Sequence, residues 1–243
     1  VVLWQTGDSF VNILSDNCWD NVSFAGAMQG KSALIITTSY GEPLSNGDQT
    51  GVTLEEATAP YYVYLDAGFE VEMASIKGGA IPYSTSDPQT PSVKRFLSDP
   101  VAMTKLNTST PITAVAESFT GYDVVFMAGG WGAAFDLGYS PDLGQRVAGA
   151  LQAKYPLVGS TCHGALGFVM ANTTEGKPWV AGRTVTAVSD EQIKKLGITD
   201  QTPMHPEDEM RKLGAIYQQV EGSSLVLGDI GATSTSCDDS GPV

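Results

Sequence analysis

Apolar and polar residues fall into a repeating order once the chain passes residue 30. Ser32 to Ser39 is a continuous apolar run, the signature of a strand covered on both faces in a parallel sheet. After a polar, glycine-bearing loop over 41–51, Thr53 to Ala67 has helical spacing, with Thr53 as candidate N-cap, Glu56 at the capping-box position, Pro60 inside and Gly68 as the stop. Glu70 to Ile76 predicts the next strand, Tyr122 to Ala128 another that runs into Gly129-Gly130-Trp131-Gly132, and Pro141 to Lys154 a helix with proline at its start. Further on, Trp179 to Val188 predicts a hairpin or strand pair, Asp190 to Leu196 and Glu207 to Leu213 short helices, and Ile216 to Val220 and Ser224 to Leu227 two late strands. Strands alternating with helices at this spacing predict a doubly wound, mostly parallel α/β sandwich.

Two stretches depart from that rhythm. Residues 1–30 form an extension of mixed character, with Trp4, Phe10, Trp19 and Phe24 available to pack on the body. Residues 80–120, rich in Pro, Ser and Thr, predict short helices near Ser92–Leu97 and Val101–Leu106 and are expected as an insertion or cap outside the sheet. The end of the chain, from residue 230, is expected to be irregular.

The most informative stretch is Pro156 to Phe168, where an apolar run with β character breaks at small residues, presents Cys162 and His163, and continues at once into a helix-compatible run. Strand, sharp turn and helix in that order make a nucleophile elbow. Free backbone N–H groups and the positive end of the helix dipole are expected to favour the thiolate of Cys162, with His163 moving protons. The alternative reading is a small buried cysteine at a strand end. Glu56, Gly129-Gly130, Cys162-His163 and the Ser189-Asp190-Glu191 turn all fall at strand carboxyl ends or on the helices that follow, where α/β sheets bind ligands.

Composition narrows the chemistry. With 13 Lys and Arg against 27 Asp and Glu, the net charge is -14, which argues against nucleic acid and anionic membrane surfaces as partners. No apolar run approaches the roughly 18 residues of a membrane-spanning helix. Only His163 and His205 are present and no CxxC pair exists, so neither a metal nor another cofactor is expected. His205 reads as a structural residue ahead of a helix, with a pocket role as the alternative. Cys18 and Cys237 either pair as a clamp between the ends of the chain or stay reduced. Asn21, Asn107 and Asn172 stand in glycosylation sequons, a mild pointer to a secretory route, and a start without Met is consistent with processing.

Four blocks are recognisable together: TGVTLEEATAPYYVYLDAGFEVEMAS (Thr50 to Ser75), YDVVFMAGGWGAAFDL (Tyr122 to Leu137), STCHGALG (Ser160 to Gly167) and GRTVTAVSD (Gly182 to Asp190). In order and spacing they resemble the ThiJ/PfpI superfamily, of class I glutamine amidotransferase-like fold, and within it the branch of heat-inducible chaperones and glutathione-independent glyoxalase III proteins. The resemblance covers residues 31–229. It implies a cofactor-independent cysteine enzyme for a small reactive carbonyl, converting methylglyoxal to lactate, in a homodimer that is cytoplasmic by family. Cys162 is then the nucleophile, Glu56 a protonated donor to its sulfur, and Gly129, Gly130 and His163 the amides of an oxyanion hole. Trp131 stands where relatives often carry histidine, and the carboxylate that orients the histidine in several relatives aligns near Ile193, leaving Asp190 and Glu191 as the nearest acids to the pocket. The alternatives are a holding chaperone or redox-sensing homologue, or a hydrolase or hydratase of another small electrophile.

Overall fold

The computed structural model describes residues 28–85 and 89–219, together with the backbone of 227–228. Cys18, Cys237, Asn21, Trp4 and Trp19 lie outside the described residues, as do most of the expected N-terminal extension and the tail. The expected sheet is present. Strands β1 (Ser32–Thr37), β3 (Glu70–Ser75), β5 (Thr110–Pro111), β6 (Val124–Met127) and β7 (Leu157–Ser160) form a five-stranded sheet in the order β5-β3-β1-β6-β7, and every pairing in it is parallel. Two-residue strands β2 (Val52–Thr53) and β4 (Tyr83–Ser84) pair beside it.

Alternation along the strands explains why their sequences are apolar throughout. Ile35 and Phe126 point to the side covered by α1 (Leu54–Ala67), α2 (Pro91–Ser98) and α3 (Pro100–Asn107), while Leu34, Ile36, Val125 and Met127 point to the side covered by α4 (Ala133–Asp136) and α5 (Pro141–Ala153). All six strand residues are fully buried. At about 1.5–3 kcal/mol per large apolar side chain, this double cover is the main source of stability. Helix α1 joins it through Leu54, Ala57, Tyr61 and Tyr64, at helical spacing on one face, and ends on Gly68 in the left-handed conformation at φ 101°.

Two expectations need correction. The 80–120 segment is not outside the sheet: it returns as edge strand β5, and α2 and α3 pack on α1 and β3 as part of the crossover between β3 and β5. A two-residue strand containing Pro111 carries almost no alternation to read. Nor does Trp179 to Val188 form a hairpin. It supplies only β8 (Thr184–Thr186), which pairs parallel with β9 (Ile216–Tyr217) and antiparallel with β10 (Leu227–Gly228). Helices α6 (Asp190–Lys195) and α7 (Pro206–Lys212) separate β8 from β9, and α6 starts on a capping box made by Ser189 and Gln192.

From β1 the chain winds one way through β3 to β5, then returns to the other side of β1 with β6 and β7. The carboxyl ends of β1 and β6 therefore flank a topological switch point, where such sheets leave a crevice.

Candidate active site

Cys162 stands directly beyond β7, at the switch-point end of the sheet, with φ of 51°. A non-glycine residue in that region is strained, and the turn around it holds the strain in place. Thr161 N–H donates to Met127 O at 3.1 Å, and Gly164 N–H donates to Thr161 O at 2.7 Å. A side chain at Gly164 would have its Cβ only 2.1 Å from Met127 O, so only glycine lets the turn lie this close to β6. The run that follows is a 3-10 helix over Cys162–Phe168, tighter than the expected continuation.

Glu56 reaches the same point from α1. Its Oε2 accepts from Gly129 N–H at 2.9 Å, and its carboxyl is hydrogen-bonded to the Cys162 thiol. The capping-box alternative is thereby ruled out: Thr53 makes no side-chain cap, and Glu56 is turned away from its own helix end. Gly129 sits wedged among the reacting groups. A Cβ there would lie 2.6 Å from Glu56 Oε2, 2.7 Å from His163 N and 2.8 Å from Cys162 Cβ. Gly130, with φ of 88°, could not carry a side chain either, since its Cβ would fall 2.2 Å from Thr53 N.

The protonation pattern differs from the expectation of a standing thiolate. Burial and then Glu56, through its charge and its hydrogen bond, push the Cys162 thiol well above its ordinary range. The backbone N–H groups of His163 and Gly130 do point at the sulfur and pull the other way, but they are outweighed. Cys162 keeps partial exposure as a residue, although the surroundings of its sulfur are poor in water. Desolvation also raises Glu56 from the usual 4.5 to about 7, although its bonds to Cys162 and Gly129 oppose the shift. The resting pair is thus a thiol beside a carboxyl that changes charge near neutrality. Glu56 was expected as a protonated donor to the sulfur, and burial does raise it.

His163 is completely buried, with Nδ1 3.4 Å from Cys162 Sγ. Desolvation, with the nearby His205 adding to it, lowers its pKa from 6.5 to about 3, so the ring is neutral at physiological pH. Of the three expected oxyanion amides, Gly130 and His163 face the sulfur, whereas Gly129 N–H is committed to Glu56.

On its other side Cys162 packs against an apolar cluster of Leu44, Val188, Ile193 and Ile198, with Trp131 and Phe135. Trp131, expected in the pocket, packs on the same cluster as Cys162. Asp190 and Glu191 do not. Ile193 faces inward, fully buried, and Glu191, two residues earlier on the helix, points outward and pairs with Lys195 at 2.8 Å. Asp190 is exposed at the start of α6, its N–H donating to Glu207 Oε2 at 2.9 Å. Asn107 and Asn172 are both exposed, as a glycosylated residue must be. Among the described residues no group of three or more His, Cys, Asp or Glu is placed to hold a metal ion.

Sequence reasoning passed over Asp136. Its carboxyl accepts from Thr38 Oγ1 at 2.8 Å and from Ser39 N–H at 2.7 Å, tying α4 to the end of β1, and burial raises it to about 6. Its place at the end of the short helix that follows the glycine pair was the available signal.

No family model matches the chain. Individual proteins do. It is 29% identical over 177 residues to Glyoxalase 3 of Candida albicans, a match spanning 69% of this chain and 72% of that protein. It is 25% identical over 210 residues to the glutathione-independent glyoxalase hsp3101 of Schizosaccharomyces pombe, over 79% and 80%. Among solved structures, glyoxalase III from Candida albicans superposes with a TM-score of 0.68 at 25% identity, over 79% of this chain and 84% of that one. In sequence and fold the chain is similar to glutathione-independent glyoxalases, in line with the resemblance to the ThiJ/PfpI superfamily. A second solved structure, the Rapid Encystment Protein 24 KDa of Francisella tularensis, gives a TM-score of 0.72 at 28% identity over 79% of this chain and 85% of that one.

Proposed function

We propose that this protein is a cofactor-independent glyoxalase that converts a small 2-oxoaldehyde, such as methylglyoxal, and water into the 2-hydroxy acid without glutathione. The observation that carries the reading is the thiol of Cys162 bonded to the carboxyl of Glu56, which titrates near neutrality at the base of a partly open elbow. The curated relatives named as glutathione-independent glyoxalases support turnover over a purely holding role.

The chemistry follows from the placement of the groups. The sulfur attacks the aldehyde carbon as the S–H proton passes to the Glu56 carboxylate, and the developing oxyanion faces the N–H groups of Gly130 and His163. Once protonated, that oxygen completes a hemithioacetal. Removal of the proton from the former aldehyde carbon gives an enediol, and return of a proton to the adjacent carbon gives a thioester. The aldehyde carbon is oxidised as its ketone neighbour is reduced, so no external oxidant or reductant enters. Water cleaves the thioester, releasing the acid and restoring the thiol.

Glu56 is the better proton carrier of the two candidates, because its pKa lies near the working pH whereas that of His163 is far below it. The neutral His163 ring fixes the thiol through Nδ1. Trp131 and the cluster behind it offer an apolar wall to the substrate's carbon end. The proposed assembly is the homodimer expected of the superfamily, which light scattering would read.

The test is hydroxy-acid formation from methylglyoxal with no glutathione present. The wild type is expected to turn over and Cys162→Ala to fall to background. Full turnover by Cys162→Ser or Cys162→Ala would overturn the reading.

A further inference from the structure

The mechanism leaves one polar atom of His163 unused. Its Nδ1 faces the sulfur, but its Nε2 is sealed from solvent and has no hydrogen-bond partner among the described residues. The carboxylate that the resemblance would place behind this ring is replaced by Ile193, a fully buried hydrocarbon. The only other histidine in the chain, His205, shows the same anomaly: its Nε2 is also sealed and also lacks a partner. Two buried imidazole nitrogens without partners would each leave a desolvated polar group uncompensated.

The elements that carry these two rings pack together. His205 is the N-cap residue of α7, and α7 packs directly on the 3-10 turn that begins with Cys162 and His163. Each ring lies within electrostatic reach of the next charged group in line: His205 acts on His163, and Asp190 senses His205. Around Asp190 stand Glu207, Asp208 and Arg211, and Glu56 lies on the far side of Cys162.

We propose that His205 is the positioning residue for His163, its Nε2 accepting the Nε2–H of His163 through one bound water, in place of the missing carboxylate. The consequence is a fixed tautomer. With hydrogen on Nε2, the Nδ1 of His163 is bare and can accept the Cys162 S–H whenever Glu56 holds its own proton; with the opposite tautomer, Nδ1–H could only donate to the sulfur. An imidazole acceptor also differs in kind from a carboxylate. It orients the ring without adding a negative charge that would stabilise an imidazolium, in keeping with a His163 that stays neutral while Glu56 carries the proton. This assignment rests on the proposed nucleophile but not on its substrate.

The chain has only two histidines, which makes the test direct. Two-bond 15N–1H correlation spectra of the full chain, labelled at histidine, report each ring's tautomer. The wild type should show His163 with hydrogen on Nε2. His205→Ala should convert that signal to a mixture of tautomers and slow alkylation of Cys162 by iodoacetamide several-fold, and His205→Gln, which keeps an acceptor, should restore both. A wild-type His163 protonated on Nδ1, or a tautomer unchanged in His205→Ala, would overturn the proposal. The wild-type spectrum decides the matter even if His205→Ala does not fold. Absence of methylglyoxal turnover would count against the glyoxalase reading and leave the tautomer result standing.

Discussion

Two carboxyl groups, Glu56 and Asp136, lie close to the switch point, and burial pushes both upward, to about 7 and about 6. Their partners separate them. Asp136 accepts from a hydroxyl and a backbone amide of adjacent residues, Thr38 and Ser39, and Lys77 lies near enough to favour its charge. Every donor it has is fixed, so it works as a strut between α4 and β1. Glu56 has one fixed donor, Gly129 N–H, and one that can be given away, the thiol of Cys162. The same desolvation thus makes a brace in one place and a proton carrier in the other. The identity of the neighbour, more than the depth of burial, decides the role.

That contrast can be broken by exchanging each carboxyl for its amide. Glu56→Gln is expected to lower kcat by about 10²–10⁴, the usual loss for a general acid or base, while its melting temperature stays close to wild type. Asp136→Asn is expected to do the reverse: an amide offers a single acceptor oxygen to two donors, so about 1–3 kcal/mol of stability is lost and kcat changes far less. Equal kinetic effects from the two variants, read by steady-state kinetics and thermal unfolding, would dissolve the distinction.

A smaller effect should appear in pH profiles. If the Glu56 carboxylate accepts the thiol proton, kcat/KM should fall as pH drops below about 7, and this acid limb should vanish in Glu56→Gln. Stability should follow its own sign. Because Glu56 holds its proton to about 7 in the fold but only to about 4.5 when unfolded, the native state binds more protons between those values, and stability declines as pH rises across that window. Asp136, raised from 3.8 to about 6, adds a similar slope at lower pH. Denaturant titrations from pH 4 to 8 should show the slope reduced in each amide variant. The smallest effect expected is at the apolar wall: Trp131→His should change KM for methylglyoxal by about tenfold or less with stability preserved, since a single apolar contact discriminates only modestly.

Much of this was legible in the chain because it depends on local pattern. Ser32 to Ser39 and Tyr122 to Ala128 read as doubly covered strands since their apolar runs are unbroken, and the elbow announced itself through Gly159, Cys162 and Gly164. Glu56 was picked out, but not how far burial raises it, which is set by how little water reaches the pair. The commitment of Gly129 N–H to Glu56 was hidden for the same reason: an amide's target is a tertiary fact. Asp190 and Glu191 were misplaced by a matter of helical phase, because α6 starts at Asp190 and turns Ile193 inward. Strand β5 escaped notice because two residues with a proline have no period. The packing of α7, with His205 at its N-cap, on the turn that holds His163 left no local trace at all.

The account depends most on Glu56 serving the substrate's protons without creating a standing thiolate. The direct measurement is the pH dependence of Cys162 alkylation by iodoacetamide in wild type and Glu56→Gln, taken beside turnover of methylglyoxal. Since the charge and hydrogen bond of Glu56 both raise the thiol's pKa, the variant should alkylate with a lower midpoint while its turnover collapses. A midpoint that moves up, or turnover that survives the substitution, would contradict it.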